Sequence, residues 1–70
     1  MYKVFEEHLF TEEKDEYIAY GIAYPENNTI IHDVSLNKSK MEKFVEQLND
    51  SDLQYIHLAD VIEDNLNDLI

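Results

Sequence analysis

The apolar residues change period once along the chain, and that change dictates the fold class. In "EYIAYGIAY", residues 16 to 24, Ile18, Tyr20, Ile22 and Tyr24 recur at every second position, with Ala19, Gly21 and Ala23 between them. A period of two sorts side chains onto the two faces of a β-strand. Beyond Ser35 the spacing becomes that of a helical stripe: Met41, Phe44, Val45 and Leu48, then Leu58, Val61, Ile62 and Leu69 with Leu66 beside them. Strands grouped in one half and helices in the other predict an α+β fold rather than an alternating α/β one.

Two further strands flank the clear one. "YKVFEEHLF", residues 2 to 10, precedes it across the charged turn "TEEKD". "TIIHDVS", residues 29 to 35, follows "PENN". In that turn Pro25 presets a backbone angle and Asn27 or Asn28 can turn left-handed. Connections this short predict antiparallel neighbours. Ser39 and Glu42 are spaced as a capping box for the first helix, with Asn37 as a rival cap. "NDSD" ends that helix, and Ser51 or Asp52 is placed to cap the second, with Leu53 and Ile56 packing near the joint. The expected architecture is βββαα: one domain over residues 1–70, a three-stranded antiparallel meander followed by an antiparallel two-helix hairpin packed on one face.

Antiparallel helices also suit the charges. Lys38, Lys40 and Lys43 crowd the start of the first helix, and Asp64 and Asp68 lie toward the end of the second. Each sits at the wrong pole of its helix dipole, at a cost of roughly 0.3–1 kcal/mol. The hairpin brings those two ends together, where the charges can offset one another.

Each strand carries apolar residues on both faces: Val4 and Phe10 against Phe5 and Leu9, Ile31 against Ile30 and Val34. Two helices cover only one face of a sheet. The remaining apolar surface predicts a contact area, and a homodimer through that face or along an edge strand is the expected assembly.

Composition narrows the function classes. Sixteen acids stand against five lysines and no arginine, for a net charge of −11. Such a field repels phosphate backbones and anionic lipid, so neither nucleic acid nor membrane is an expected partner. With no cysteine there is no disulfide or thiolate zinc site, and one glycine rules out a glycine-rich phosphate loop. No nucleophile elbow is present. "MYKVFEEHLF" lacks the apolar run of a signal peptide, and no stretch approaches the roughly 20 apolar residues of a membrane span, so the cytoplasm is the expected location.

The residues able to carry chemistry are few. In "HLADVIEDNL", His57, Asp60 and Asp64 follow one another by about a helical turn, the weakest form of a metal-binding pattern, because helical zinc signatures hold two histidines. Asp60, Glu63, Asp64 and Asp68 are otherwise a solvated acidic face and the candidate partner-binding residues. His32 and Asp33, adjacent on a strand, point to opposite faces and form no local dyad. Asp33 and Ser35 stand where side chains cap loop amides. His8 carries no signal.

The succession "YIAYGIAY", "IIHDVSLNKSKMEKFVEQLN" and "LQYIHLADVIEDNL" resembles a family of short uncharacterised Firmicutes proteins, a domain of unknown function. Its pattern has a strand ending Asp-Ile-Ser, a helix ending near an Asn, and a His-Leu-x-Asp-Val-Ile-Glu-Asp-Phe-Leu helix. Asp33, Val34, Ser35, Asn49, His57, Leu58, Asp60, Val61, Ile62, Glu63, Asp64 and Leu66 match it, while Asn65 stands where the pattern has an aromatic. The resemblance implies a bacterial cytoplasmic origin and transfers no activity. The two-sided apolar sheet and the lack of a catalytic constellation lead to a small non-enzymatic protein-interaction module without a cofactor. Two alternatives remain: an acidic nucleic-acid mimic that blocks a basic DNA- or RNA-binding protein, and a metal-binding helix protein using His57, Asp60 and Asp64.

Overall fold

The computed structural model describes residues 1–70. Strand β1 (Lys3–Phe10) pairs antiparallel with β2 (Glu16–Tyr24), and β2 with β3 (Thr29–Ser35), in the order β1-β2-β3. Helix α1 (Lys38–Asp50) and helix α2 (Leu58–Leu69) follow, giving the βββαα order. The β2–β3 turn is a 3-10 turn over Pro25–Asn27, and Asn28 takes the left-handed conformation there (φ 50°).

Both helices lie on the face of β2 that carries Tyr20, Ile22 and Tyr24. Ile22, Met41 and Leu58 are fully buried, with Tyr2, Phe44, Val45, Leu48 and Leu69 around them and Val61 and Ile62 packed at the margin. Helix α1 touches all three strands, and α2 packs on α1 and β3. The helices run antiparallel, since the hydroxyl of Ser35, just before α1, donates to the Leu69 carbonyl at the far end of α2.

At the helix ends one of the two caps expected for α1 is realised, and two other expectations fail. Asn37 caps α1, its Oδ1 accepting the Lys40 N–H at 3.0 Å, because the helix begins at Lys38 and Ser39 is already inside it. Ser51 and Asp52 do not cap α2. They close α1 instead: Asp52 turns left-handed (φ 52°), its amide bonds the Asn49 carbonyl, and the Leu53 amide bonds Leu48. This is a Schellman ending, usually given to glycine. Helix α2 consequently starts only at Leu58, behind a 3-10 turn over Tyr55–His57, and has no side-chain cap. Ile56, on that turn, is 77% exposed instead of packing at the joint.

The expected offset between helix-end charges takes another form. No lysine comes within ion-pair distance of Asp64 or Asp68. Lys40 instead donates to the Ile70 carbonyl at 3.2 Å, meeting the negative pole of α2 through its backbone.

The helices roof only part of the sheet. Asn49 bonds the backbone of Tyr2 at one limit, and Ser35, opposite Tyr20, marks the other. Beyond Tyr20 the β1–β2 hairpin continues unroofed, which leaves Phe10 66% and Ile18 40% exposed and draws the molecule out to 40 × 25 × 18 Å.

Candidate binding surface

Beside β2, β3 is irregular. Ile22 faces Ile31 and Tyr20 faces Ser35, so one residue of β2 lies opposite three of β3. His32, Asp33 and Val34 form the resulting bulge, with Asp33 left-handed at φ 53°. The bulge presses onto β2 at its single glycine. A Cβ on Gly21 would stand 2.0 Å from the Ile31 carbonyl oxygen, a distance no side chain tolerates.

One carboxylate holds the bulge from across the sheet. Glu7 on β1 lies opposite Ala19 of β2, yet its oxygens meet His32 Nδ1 at 3.1 and 3.2 Å and accept the Asp33 N–H at 3.1 Å. To get there the side chain crosses β2 where Ala19 and Gly21 offer least obstruction. It is only 13% exposed, and the Phe5 ring meets His32 edge-on, with centroids 5.6 Å apart. Strand alternation put His32 and Asp33 on opposite faces. At the bulge the two residues still meet one carboxylate, His32 through its ring and Asp33 through its backbone N–H alone.

This network sits on the face that no helix covers. Phe5, Leu9, Tyr17 and Ala23 are half-buried there, and Ile30 is 43% exposed. Polar groups and aromatic edges hold the surface in shape, and its apolar area stays in water.

A second aromatic cluster braces the opposite end. Tyr2, Tyr24 and Tyr55 stack in series, with centroids 4.7 and 5.3 Å apart. The Tyr2 hydroxyl donates to the Leu53 carbonyl at 2.8 Å, and Asn49 holds both the N–H and the carbonyl of Tyr2. Burial, with Tyr24, Asp52 and Tyr55 nearby, raises the Tyr2 phenol above its usual 10.0. Next to this stack, Ile31, Tyr55, Ile56, Leu58 and Ala59 line an open apolar cleft of about 320 Å³.

The residues expected from sequence are distributed rather than gathered. His57 closes the 3-10 turn, and Asp60, Glu63, Asp64 and Asp68 are exposed along α2. No three acidic or histidine side chains converge closely enough to hold a metal ion, so His57, Asp60 and Asp64 form no ligand set. Asp68 shares the groove between the helices with Lys40, Lys43 and Gln47, and Asn65 lines it too, donating to the Val61 carbonyl at 2.8 Å. Ser35 acts as a cap, accepting the Asn37 N–H at 3.0 Å.

Sequence reasoning passed over Glu7 and His8. His8 bonds Glu16 at 2.6 Å on the unroofed hairpin, and that hydrogen bond, with the charges of Glu16 and Glu6, raises its pKa above 6.5. A hairpin register was the signal for His8. Only the bulge could have revealed Glu7.

No helix is long and apolar enough to cross a membrane. No curated protein matches the chain, and no solved structure matches it. The model of a family of unknown function (DUF6514) matches residues 1–68, and the chain belongs to that family.

Proposed function

We propose that this member of the DUF6514 family is a small non-enzymatic module of the bacterial cytoplasm that binds another protein through the open face of its sheet. The observation carrying this reading is the surface formed by Phe5, Leu9, Tyr17, Ala23 and Ile30, apolar yet uncovered and held in shape by Glu7 and His32. Apolar area kept in water on a chain this acidic is a standing cost to solubility, which a binding role explains. The net charge of −11 selects for a partner whose apolar patch is rimmed by lysine or arginine.

The nucleic-acid-mimic reading has the exposed Asp60, Glu63 and Asp64 in its favour. Against it, Lys40 and Lys43 stand beside Asp68 and interrupt the anionic field along the seam between the helices.

Affinity capture from the source cytoplasm separates the readings, using three baits: wild type, Tyr17→Ser with Ile30→Ser, and Asp60→Lys with Glu63→Lys and Asp64→Lys. A partner held by wild type and lost by the sheet variant is the expected result. Loss by the helix variant alone transfers the site to α2 and favours the mimic. A partner bound equally by all three baits overturns both.

A further inference from the structure

The two edges of the sheet are unequal. The outer edge of β3 is interrupted by the bulge at His32–Val34 and by left-handed Asp33. Strand β1 is different: all eight of its residues pair in unbroken register with β2, and it contains no proline, bulge or left-handed residue. Its outer row of amides and carbonyls is the kind of template that a further strand can extend.

We propose that β1 pairs antiparallel with β1 of a second copy about a two-fold axis at Glu7, joining two sheets into one of six strands. A two-fold axis normal to the sheet places each residue opposite one on the same face, so few registers exist. Centred on Glu6, it stacks Glu6 on its own copy and sets Phe5 against the partner's Glu7. Centred on His8, it sets Leu9 and Phe10 against carboxylates. Centred on Glu7, it sets Phe5 against the partner's Leu9, Val4 against the partner's Phe10, and Glu6 against the partner's His8. Apolar cross-strand pairs, and a carboxylate opposite an imidazole that can donate to it, are the stabilising ones.

Two features of the single chain suit this register. The one like-charged pair would be Glu7 with itself, and Glu7 is turned inward across β2 to His32 and Asp33, away from the free edge. The helical roof also covers only the Tyr2-to-Tyr20 part of the sheet. The two roofs would therefore be staggered on the joined sheet. The unroofed Phe10 would come alongside the partner's α1, where its ring loses the exposure it has in the single chain.

The pairing extends the open face from three strands to six, and in that respect it rests on the binding reading. The strand contact can still be tested separately. The chain has no cysteine, so single replacements report cleanly. Disulfides need Cα atoms within about 7 Å, and residues directly opposite in an antiparallel pair lie about 4.5–5.5 Å apart. Phe5→Cys mixed with Leu9→Cys, under oxidising conditions, should give a covalent heterodimer. Neither variant alone should link, because like positions would be four residues out of register, more than about 13 Å along the strand. Where circular dichroism shows either variant unfolded, Glu6→Cys mixed with His8→Cys, both at exposed sites, makes the same test.

Sedimentation of the wild type should show a dimer that strengthens from low to high salt, as repulsion between two chains of −11 is screened. Self-linking of Phe5→Cys would move the axis to Phe5 and overturn the register. Folded variants that fail to link, or a strict monomer at high concentration, would overturn the pairing itself. A monomer that still loses its captured partner on Tyr17→Ser with Ile30→Ser would leave the binding reading intact while removing the dimer.

Discussion

Replacing Gly21 with alanine tests the coupling between the bulge and the sheet. The added methyl would lie 2.0 Å from the Ile31 carbonyl oxygen, and that oxygen is main chain, so no side-chain rotation relieves the clash. The strand must withdraw until the gap exceeds 3.0 Å, and β3 carries the bulge with it. Overpacking of this kind costs about 1–3 kcal/mol. Pulling Asp33 away from Glu7 also removes a hydrogen bond to a charged group, worth about 1.5–3 kcal/mol. Alanine restricts the unfolded chain and returns about 0.4–1 kcal/mol. The net loss is about 1.5–5.5 kcal/mol, against about 4–10 kcal/mol in total for a chain of this length. Urea unfolding followed by far-ultraviolet circular dichroism reads it directly: the midpoint should fall steeply while the slope stays constant. An unchanged or higher midpoint would mean that the bulge does not press on Gly21, and the account of the open face would fail with it.

Asp33→Gly should be neutral or slightly stabilising by the same unfolding assay, because glycine accepts φ 53° and keeps the amide that bonds Glu7, whereas Asp33→Val should be clearly destabilising. Asn37→Ala should cost about 1 kcal/mol as a lost helix cap, while Ser39→Ala leaves the midpoint nearly unmoved. Asn65→Phe should raise the melting temperature by placing a ring in the inter-helix groove beside Phe44. For His8, the folded pKa is raised, so its contribution to stability is complete below about 6.5 and disappears as pH climbs through the higher folded value. A proton-linked slope in urea midpoints over that window should vanish in His8→Gln. The Tyr2 phenol follows the same sign: stability should decline above pH 10.0, and less so in Tyr2→Phe.

The order of elements and the buried stripes were legible because they are periodic. Met41, Phe44, Val45 and Leu48 announce a helix at any reasonable boundary, and all four are buried. Local contests were harder. Ser39 with Glu42 and Asn37 are both sound caps on paper, and the structure uses Asn37, two residues earlier, whose own amide donates to the Ser35 hydroxyl. Asp52 read as a start signal because aspartate favours helix N-termini. Its left-handed backbone makes it a stop, and nothing in its neighbours' identities distinguishes the two. The polar network on the open face was illegible for another reason. Glu7 and Asp33 are 26 residues apart and meet only because β3 gains residues that no alternation rule anticipates. The lone glycine hinted at the place, since a glycine inside a strand often marks a close backbone approach.

The unroofed hairpin also divides the sheet in time. Past the Glu7–Ala19 pair the ladder is secured only by its own rungs and the His8–Glu16 contact, and a two-stranded ribbon by itself is marginal in water. Amide protons of residues 8–18 should therefore exchange with deuterium through local fraying, while those near Ile22 wait for global opening. Were β1 to acquire a neighbour on its outer edge, the early-exchanging protons would be the first to slow, and isotope uptake would register that contact before any change of shape could be seen.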